Sequence, residues 1–181
     1  MAALMDVDRA TNVRDDRALE RIFRDHHAAA YAAAYRVVGN PMDAEDALQT
    51  VFLRLAGGER NLPSGPTADA YVRRAAINAA LDIVRARGRH SARPLDETAR
   101  AGVGTGAPED GAESADLRRR LRQSLARVSP RAAEAFALRY FEDFGNREIA
   151  DLLGMTPSAV GVVLHRTRNR LRRELGDPRE G

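Results

Sequence analysis

Between Ser91 and Asp116 the chain carries Pro94, Gly102, Gly104, Gly106, Pro108 and Gly111 among Ala, Thr, Ser and acidic residues. Such a stretch cannot bury enough apolar surface to order itself, and it predicts a flexible acidic linker over 91–115. The consequence for the fold is severe. A chain of 181 residues is left with one segment of about 75 residues and another of about 60, each near the lower size for folding alone. Cysteine is absent, so disulfides and thiolate zinc sites cannot reinforce cores of that size. The expected organisation is an N-terminal tail over 1–15, a lobe over 16–90, the linker over 91–115, a second lobe over 116–176 and a C-terminal tail over 177–181.

Both lobes read as helical, which makes the fold class all-α: two small helical domains joined by the linker. Strand-like alternation is absent, and β-branched residues are sparse beside Ala, Leu, Arg and Glu. The predicted helices are 16–39, 41–56 and 68–87 in the first lobe, and 116–128, 130–141, 146–153 and 157–175 in the second. Gly39-Asn40-Pro41 breaks the first pair. Ser129-Pro130 and Thr156-Pro157 each place a capping residue before a first-turn proline.

Charge separates along the same boundaries. The acidic segment 91–116 has a net charge of −4, whereas 17–90 carries +3 and 117–175 carries +7. All 29 basic residues other than histidine are Arg, whose planar fork suits phosphate and guanine. No apolar run approaches the roughly 20 residues needed to span a bilayer. The expectation is a cytoplasmic protein without membrane insertion.

The second lobe holds a helix-turn-helix pattern over 147–160. Small Ala150 precedes Gly154 by four residues, and apolar Val160 follows six residues later. Two short helices that cross steeply need a small residue at the contact, a turn residue tolerant of positive φ and an apolar anchor on the second helix. On that second helix Val160, Val163, Leu164, Thr167 and Leu171 share one side, leaving Ser158, Val162, His165 and Asn169 on the other. Arg166, Arg168, Arg170, Arg172 and Arg173 flank it as phosphate contacts. The competing reading of this segment alone is a helical bundle with a solvated Arg-rich end.

In the first lobe, the helix 43–55 clusters Asp43, Glu45 and Asp46 in its first turn, where acids suit the helix dipole. Their spacing turns neighbours in different directions and supplies no His at i+3 or i+4, so it does not fit a metal site. On the next helix Arg74, Asn78 and Arg85 share a face, while Val72, Ala75, Ala76, Ala79 and Ile83 form an apolar stripe. The irregular segment 61–67 and Tyr71 offer a receptacle and a stacking plane for an unstacked base, or alternatively an exposed turn beside a core tyrosine. No phosphate-cradling loop, nucleophile elbow or paired-His motif occurs, and adjacent His26 and His27 splay apart on a helix. The chain reads as a non-enzyme with no catalytic residues, no cofactor and no metal.

Taken in order, these blocks resemble the extracytoplasmic-function group of bacterial RNA polymerase sigma factors. Tyr35-Arg36 with Gly39-Asn40, then DAEDALQTVFLRL (43–55) and YVRRAAINAALDIVRAR (71–87), are similar to sigma region 2. Leu121 and Leu125, SPRAAEAFALRYFEDF (129–144), REIADLLGM (147–155) and LHRTRNRL (164–171) are similar to region 4. The resemblance implies an alternative sigma factor that binds core RNA polymerase and initiates transcription from promoters with minus-10 and minus-35 elements. It implies that Asp43, Asp46, Gln49 and Phe52 dock on the polymerase clamp helices. It assigns Tyr71, Arg74, Asn78 and Arg85, with the 61–67 loop, to the non-template strand of the minus-10 element. Ser158, Ala159, Val162, His165 and Arg166 then read the minus-35 element, with Arg147 and Arg168 on phosphates, while the earlier helices of region 4 touch the polymerase flap. The linker resembles the segment that the family threads through the active-site cleft and RNA exit channel. An anti-sigma protein that clasps both lobes is a further implied partner.

Two positions depart from the family pattern. Tyr71 stands where a Trp is frequent, and Gly161-Val162-Val163 replaces polar and basic residues in the middle of the recognition helix. The second departure implies weak minus-35 readout, through a thymine methyl on Val162 or through DNA shape and phosphates. The rival functional classes are a stand-alone helix-turn-helix regulator, which would dimerise on a palindrome, and a decoy that binds polymerase without opening promoters.

Overall fold

A computed structural model of the protein describes residues 3–57, 66–91 and 112–176. Its seven helices there are α1 (Ala3–Val38), α2 (Pro41–Ala56), α3 (Pro66–Ser91), α4 (Ala112–Ala126), α5 (Pro130–Tyr140), α6 (Asn146–Leu153) and α7 (Pro157–Leu175). The expected loop 61–67 lies outside the described residues except at its last two positions, which belong to α3. Residues 92–111 of the expected linker and the tail 177–181 also lie outside them.

The helix ends follow from local chemistry. Neither Gly nor Pro occurs before Gly39, so nothing interrupts α1, and the expected tail 1–15 is helical from Ala3 onward. Gly39 ends it at φ +78°, with its N–H donating to the Tyr35 carbonyl at 2.7 Å. Asn40 then caps α2 by accepting the Asp43 N–H at 2.9 Å, one of the orphan donors of a helix start. Pro130 opens α5 as expected, but the Ser129 side chain makes no cap bond. The Ser129 carbonyl instead accepts from the Ala132 and Ala133 N–H groups, each at 3.0 Å.

Alanine sets the packing of the first lobe. Ala30, Ala33 and Ala34 of α1, Ala44 and Ala47 of α2, and Ala76 and Ala80 of α3 have no exposed surface, and these helices approach closely around Val37, Val51 and Val72. In the second lobe Leu125, Leu138, Ile149 and Val160 are the anchors, each 0–1% exposed. Burial of one such side chain contributes about 1.5–3 kcal/mol.

The two lobes pack on one another. Helix α3 touches α1 and α2 and also α4, α5 and α6, and a single continuous cluster of buried apolar residues runs through both lobes. This explains a residue set that a single apolar stripe misses: Ile77 and Leu81 lie off the stripe that includes Val72 and Ala76, yet both are fully buried. The wall helix of a shared core must be apolar on more than one side. No helix among the described residues is long and apolar enough to cross a membrane.

Candidate nucleic-acid interface

The helix-turn-helix forms as its spacing predicts. The Gly145 N–H donates to Glu148 Oε2 at 2.7 Å at the start of α6, and Gly154 turns the chain in the left-handed region at φ 59° and ψ 48°. The Met155 N–H returns to the Ala150 carbonyl at 2.9 Å. Thr156 caps α7 by accepting the Ala159 N–H at 3.2 Å. Buried Val160, Leu164, Thr167 and Leu171 hold α7 down, and Thr167 Oγ1 donates to the Val163 carbonyl.

That anchoring fixes what faces outward. Ser158, Val162, His165, Arg166 and Arg168 are exposed, Ala159 is half-buried, and Arg147 is exposed at the start of α6. Val162 is 49% exposed, a large apolar side chain on an otherwise polar face. Asn169 Nδ2 and His165 Nε2 lie 3.0 Å apart, which orients the imidazole along the helix. All seven residues expected to meet the minus-35 element therefore belong to one motif, with solvent on its outer side.

The face of α3 is differently arranged. Arg74 Nε donates to Glu134 Oε1 at 2.6 Å, and Asn78 Nδ2 donates to the same oxygen at 2.7 Å. Arg74 also donates through Nη1 to the Leu152 carbonyl. Arg85 does not join them: its guanidinium is largely buried and pairs with Asp82 at 3.2 Å on its own helix. Tyr71 is half-buried one turn before. So Arg74 and Asn78 converge on one anionic oxygen, and Arg85 stays apart.

On α2 the structure corrects one assignment. Asp43 is 4% exposed, accepts from Asn40 Nδ2 at 2.7 Å and pairs with Arg87 at 2.5 Å. A turn of 100° per residue sets it about 120° from Gln49, on the side facing α3, and its carboxylate is engaged inside the lobe and not offered to a partner. Asp46 and Gln49 are exposed, as are Met42 at 71% and Leu53 at 65%. Phe52 is half-buried, edge-on to Phe23 of α1 with ring centroids 4.8 Å apart. With Leu19 and Leu48 these rings line an apolar groove of ≈ 400 Å³.

Sequence reasoning missed the residues that join the lobes. Glu142, with a side chain fully buried, accepts from Arg36 at 2.5 Å and from Arg73 at 3.1 Å. Arg122 of α4 donates to the Val37 carbonyl at 3.1 Å. Burial, reinforced by the charge of Arg118 and partly offset by Tyr35, pulls the Arg122 guanidinium below the ordinary arginine range.

Both lobes match known protein families. Residues 22–90 match the family described as Sigma-70 region 2, and residues 118–171 match Sigma-70, region 4. The chain is 33% identical over 156 residues to the RNA polymerase sigma-E factor of Streptomyces avermitilis, covering 86% of this chain and 84% of that one. It is 32% identical over 154 residues to the ECF RNA polymerase sigma factor SigE of Mycolicibacterium smegmatis, covering 84% of this chain and 60% of that one.

The chain belongs to the extracytoplasmic-function sigma factors of bacterial RNA polymerase.

The sigma factor's fold is shared with the sigma factor RpoE solved in complex with the anti-sigma factor NepR from Bartonella quintana. That likeness has a TM-score of 0.54 at 20% identity and covers 88% of this chain and 97% of the other. Matches to both regions favour an alternative sigma factor over a stand-alone helix-turn-helix regulator, which needs only the second. The protein is a DNA-binding regulatory subunit that works with core RNA polymerase in transcription initiation.

Proposed function

We propose that three surfaces of this sigma factor divide the work of initiation. The exposed side of α2, through Asp46, Gln49 and Phe52 with neighbouring Met42 and Leu53, docks on the clamp helices of core polymerase. Asp43 supports that surface from inside. The face of α3 takes the non-template strand of the minus-10 element, with Arg74 and Asn78 on a phosphate, Tyr71 as stacking plane and Arg85 at the far end. The 61–67 loop receives the flipped base. Unstacking a base costs a few kcal/mol, and stacking with backbone contacts offsets it, so capture of unpaired DNA melts the promoter without covalent chemistry. This is not the work of an enzyme, and no cofactor enters it.

Helix α7 meets the minus-35 element through Ser158, Ala159, Val162, His165 and Arg166, while Arg147 and Arg168 contact phosphates. Val162 suits a thymine methyl, and the arginines supply affinity that carries no sequence information. The earlier helices of the second lobe meet the polymerase flap, and the acidic segment between the lobes threads the RNA channel. The site of action is the cytoplasm, and an anti-sigma protein is the expected inhibitor, by analogy with the complex solved for the Bartonella quintana relative.

The observation that carries this reading is the convergence of Arg74 Nε and Asn78 Nδ2 on one carboxylate oxygen, since a pair that cups one anionic oxygen can cup a phosphate oxygen. Reconstituted transcription with core polymerase on a genomic promoter library, with RNA 5′ ends mapped, tests it. Specific starts sharing two dissimilar upstream elements are expected. Core binding without any start would instead support the decoy.

A further inference from the structure

The recognition helix carries a polar pair that the assignment of α7 to DNA leaves unexplained. Asn169 Nδ2 lies 3.0 Å from His165 Nε2, one turn apart on the outward face. An amide nitrogen has only hydrogens to give, so Nε2 accepts, and the single proton of a neutral imidazole then sits on Nδ1. The other side chains within reach along the helix do not oppose this choice. At i−4 and i−3 stand Gly161 and exposed Val162, which offer no side-chain hydrogen bond, and Arg168 at i+3 holds donors only. Asn169 therefore decides which ring nitrogen is protonated. It works against the ring's own preference, since an imidazole side chain free in water favours the Nε2–H form.

We propose that Asn169 is a positioning residue for promoter recognition: it holds His165 as the Nδ1–H tautomer and so makes guanine, in preference to cytosine, the base that His165 selects. The inference rests on the reading of α7 as the minus-35 helix. His165 is exposed and its Nδ1 has no partner among the described residues, so the ring presents a donor to the groove. In the major groove guanine shows two acceptors, N7 and O6, whereas cytosine shows only the donor at N4. A donor pressed against a donor leaves both without the partner that water gave them, and that cost makes the discrimination. The opposite tautomer would reverse it, because its bare Nδ1 accepts. Gly161, Val162 and Val163 give the middle of the helix no polar side chain, so hydrogen-bonded readout there falls to His165 and to the residue that sets its proton. Asn169 does this without touching DNA.

Two measurements on the full-length chain test the assignment. In the free protein with isotope-labelled histidine, at about pH 8 where an imidazole ordinarily carries one proton, long-range nitrogen–proton correlations report the tautomer of each ring. Comparison with His165→Ala identifies the His165 signals. His165 should be Nδ1–H in the parent and turn to Nε2–H in Asn169→Ala. In the holoenzyme with core polymerase, promoters carrying G·C or C·G at each minus-35 pair in turn report base preference. The parent should favour guanine about fivefold at one pair. His165→Ala and Asn169→Ala should each lose that preference at the same pair, with the salt slope of binding unchanged because no phosphate contact is removed. An Nε2–H ring in the parent, or a tautomer indifferent to Asn169→Ala, would overturn the positioning. A tautomer that turns while the preference stays would overturn its role in specificity. Minus-35 preferences that survive intact in His165→Ala would instead overturn His165 as a base reader, with the spectra still deciding for or against the hold of Asn169 on the ring.

Discussion

The guanidinium of Arg122 lies directly over Gly39. A Cβ on Gly39 would stand 2.1 Å from Arg122 Cζ, closer than atoms can approach, and Gly39 holds φ +78° at the end of α1. The first break in the chain thus also serves as the seat for a side chain from the opposite lobe.

Gly39→Ala is expected to cost about 1–2 kcal/mol, part from left-handed backbone and part from expelling Arg122 from the Val37 carbonyl. In an Arg122→Ala background only the backbone part should remain. Urea unfolding of the four proteins of this double-mutant cycle measures the coupling.

Asp43 and Asp46 should separate cleanly. Asp43→Ala removes the acceptor for Asn40 and Arg87 and should lower stability by about 1–3 kcal/mol, a cost held down because Arg87 is half-exposed and can turn to water. Asp46→Ala and Gln49→Ala should leave the melting curve in place and weaken binding to core polymerase. Thermal melts with a core-binding titration check both.

Gly161 is not required by space. A Cβ there would meet only Asn146 Nδ2, at 3.7 Å, and the residue lies inside α7. Gly161→Ala should therefore stabilise the protein by about 0.5–1 kcal/mol, read as a raised urea midpoint.

Arg168 and Val162 should affect DNA binding differently. Arg168→Ala should weaken holoenzyme binding on all promoters and reduce the log-log salt slope by about one. Val162→Ala should leave the slope intact and lower discrimination at one base pair, seen by comparing promoters substituted through the minus-35 element.

What the sequence disclosed follows from where its signals are local. Helices α5, α6 and α7 end within a residue of expectation because Pro130, Gly154, Thr156 and Pro157 act on their immediate neighbours. The start of α1 was not legible because no breaker marks it. Asp43 fitted equally well as a dipole-favouring acid or a surface contact, and only the packing of α2 on α3 decides. Glu134 and Glu142 were invisible as partners of Arg74 and Arg36, being 60 and 106 residues away. A lone glutamate in a helical sequence says nothing of which cation it will meet. Ile77 and Leu81 were missed because one apolar stripe was assigned to a helix that has two neighbouring lobes.

Arg74 and Asn78 of α3 are the residues proposed to capture single-stranded minus-10 DNA. Permanganate footprinting on a promoter mapped for the wild-type holoenzyme tests that capture most directly, comparing wild type with Arg74→Ala plus Asn78→Ala at saturating core polymerase. Reactive minus-10 thymines are expected with wild type, and their loss in the double variant, with core binding unchanged. Equal thymine reactivity in the two proteins would contradict it.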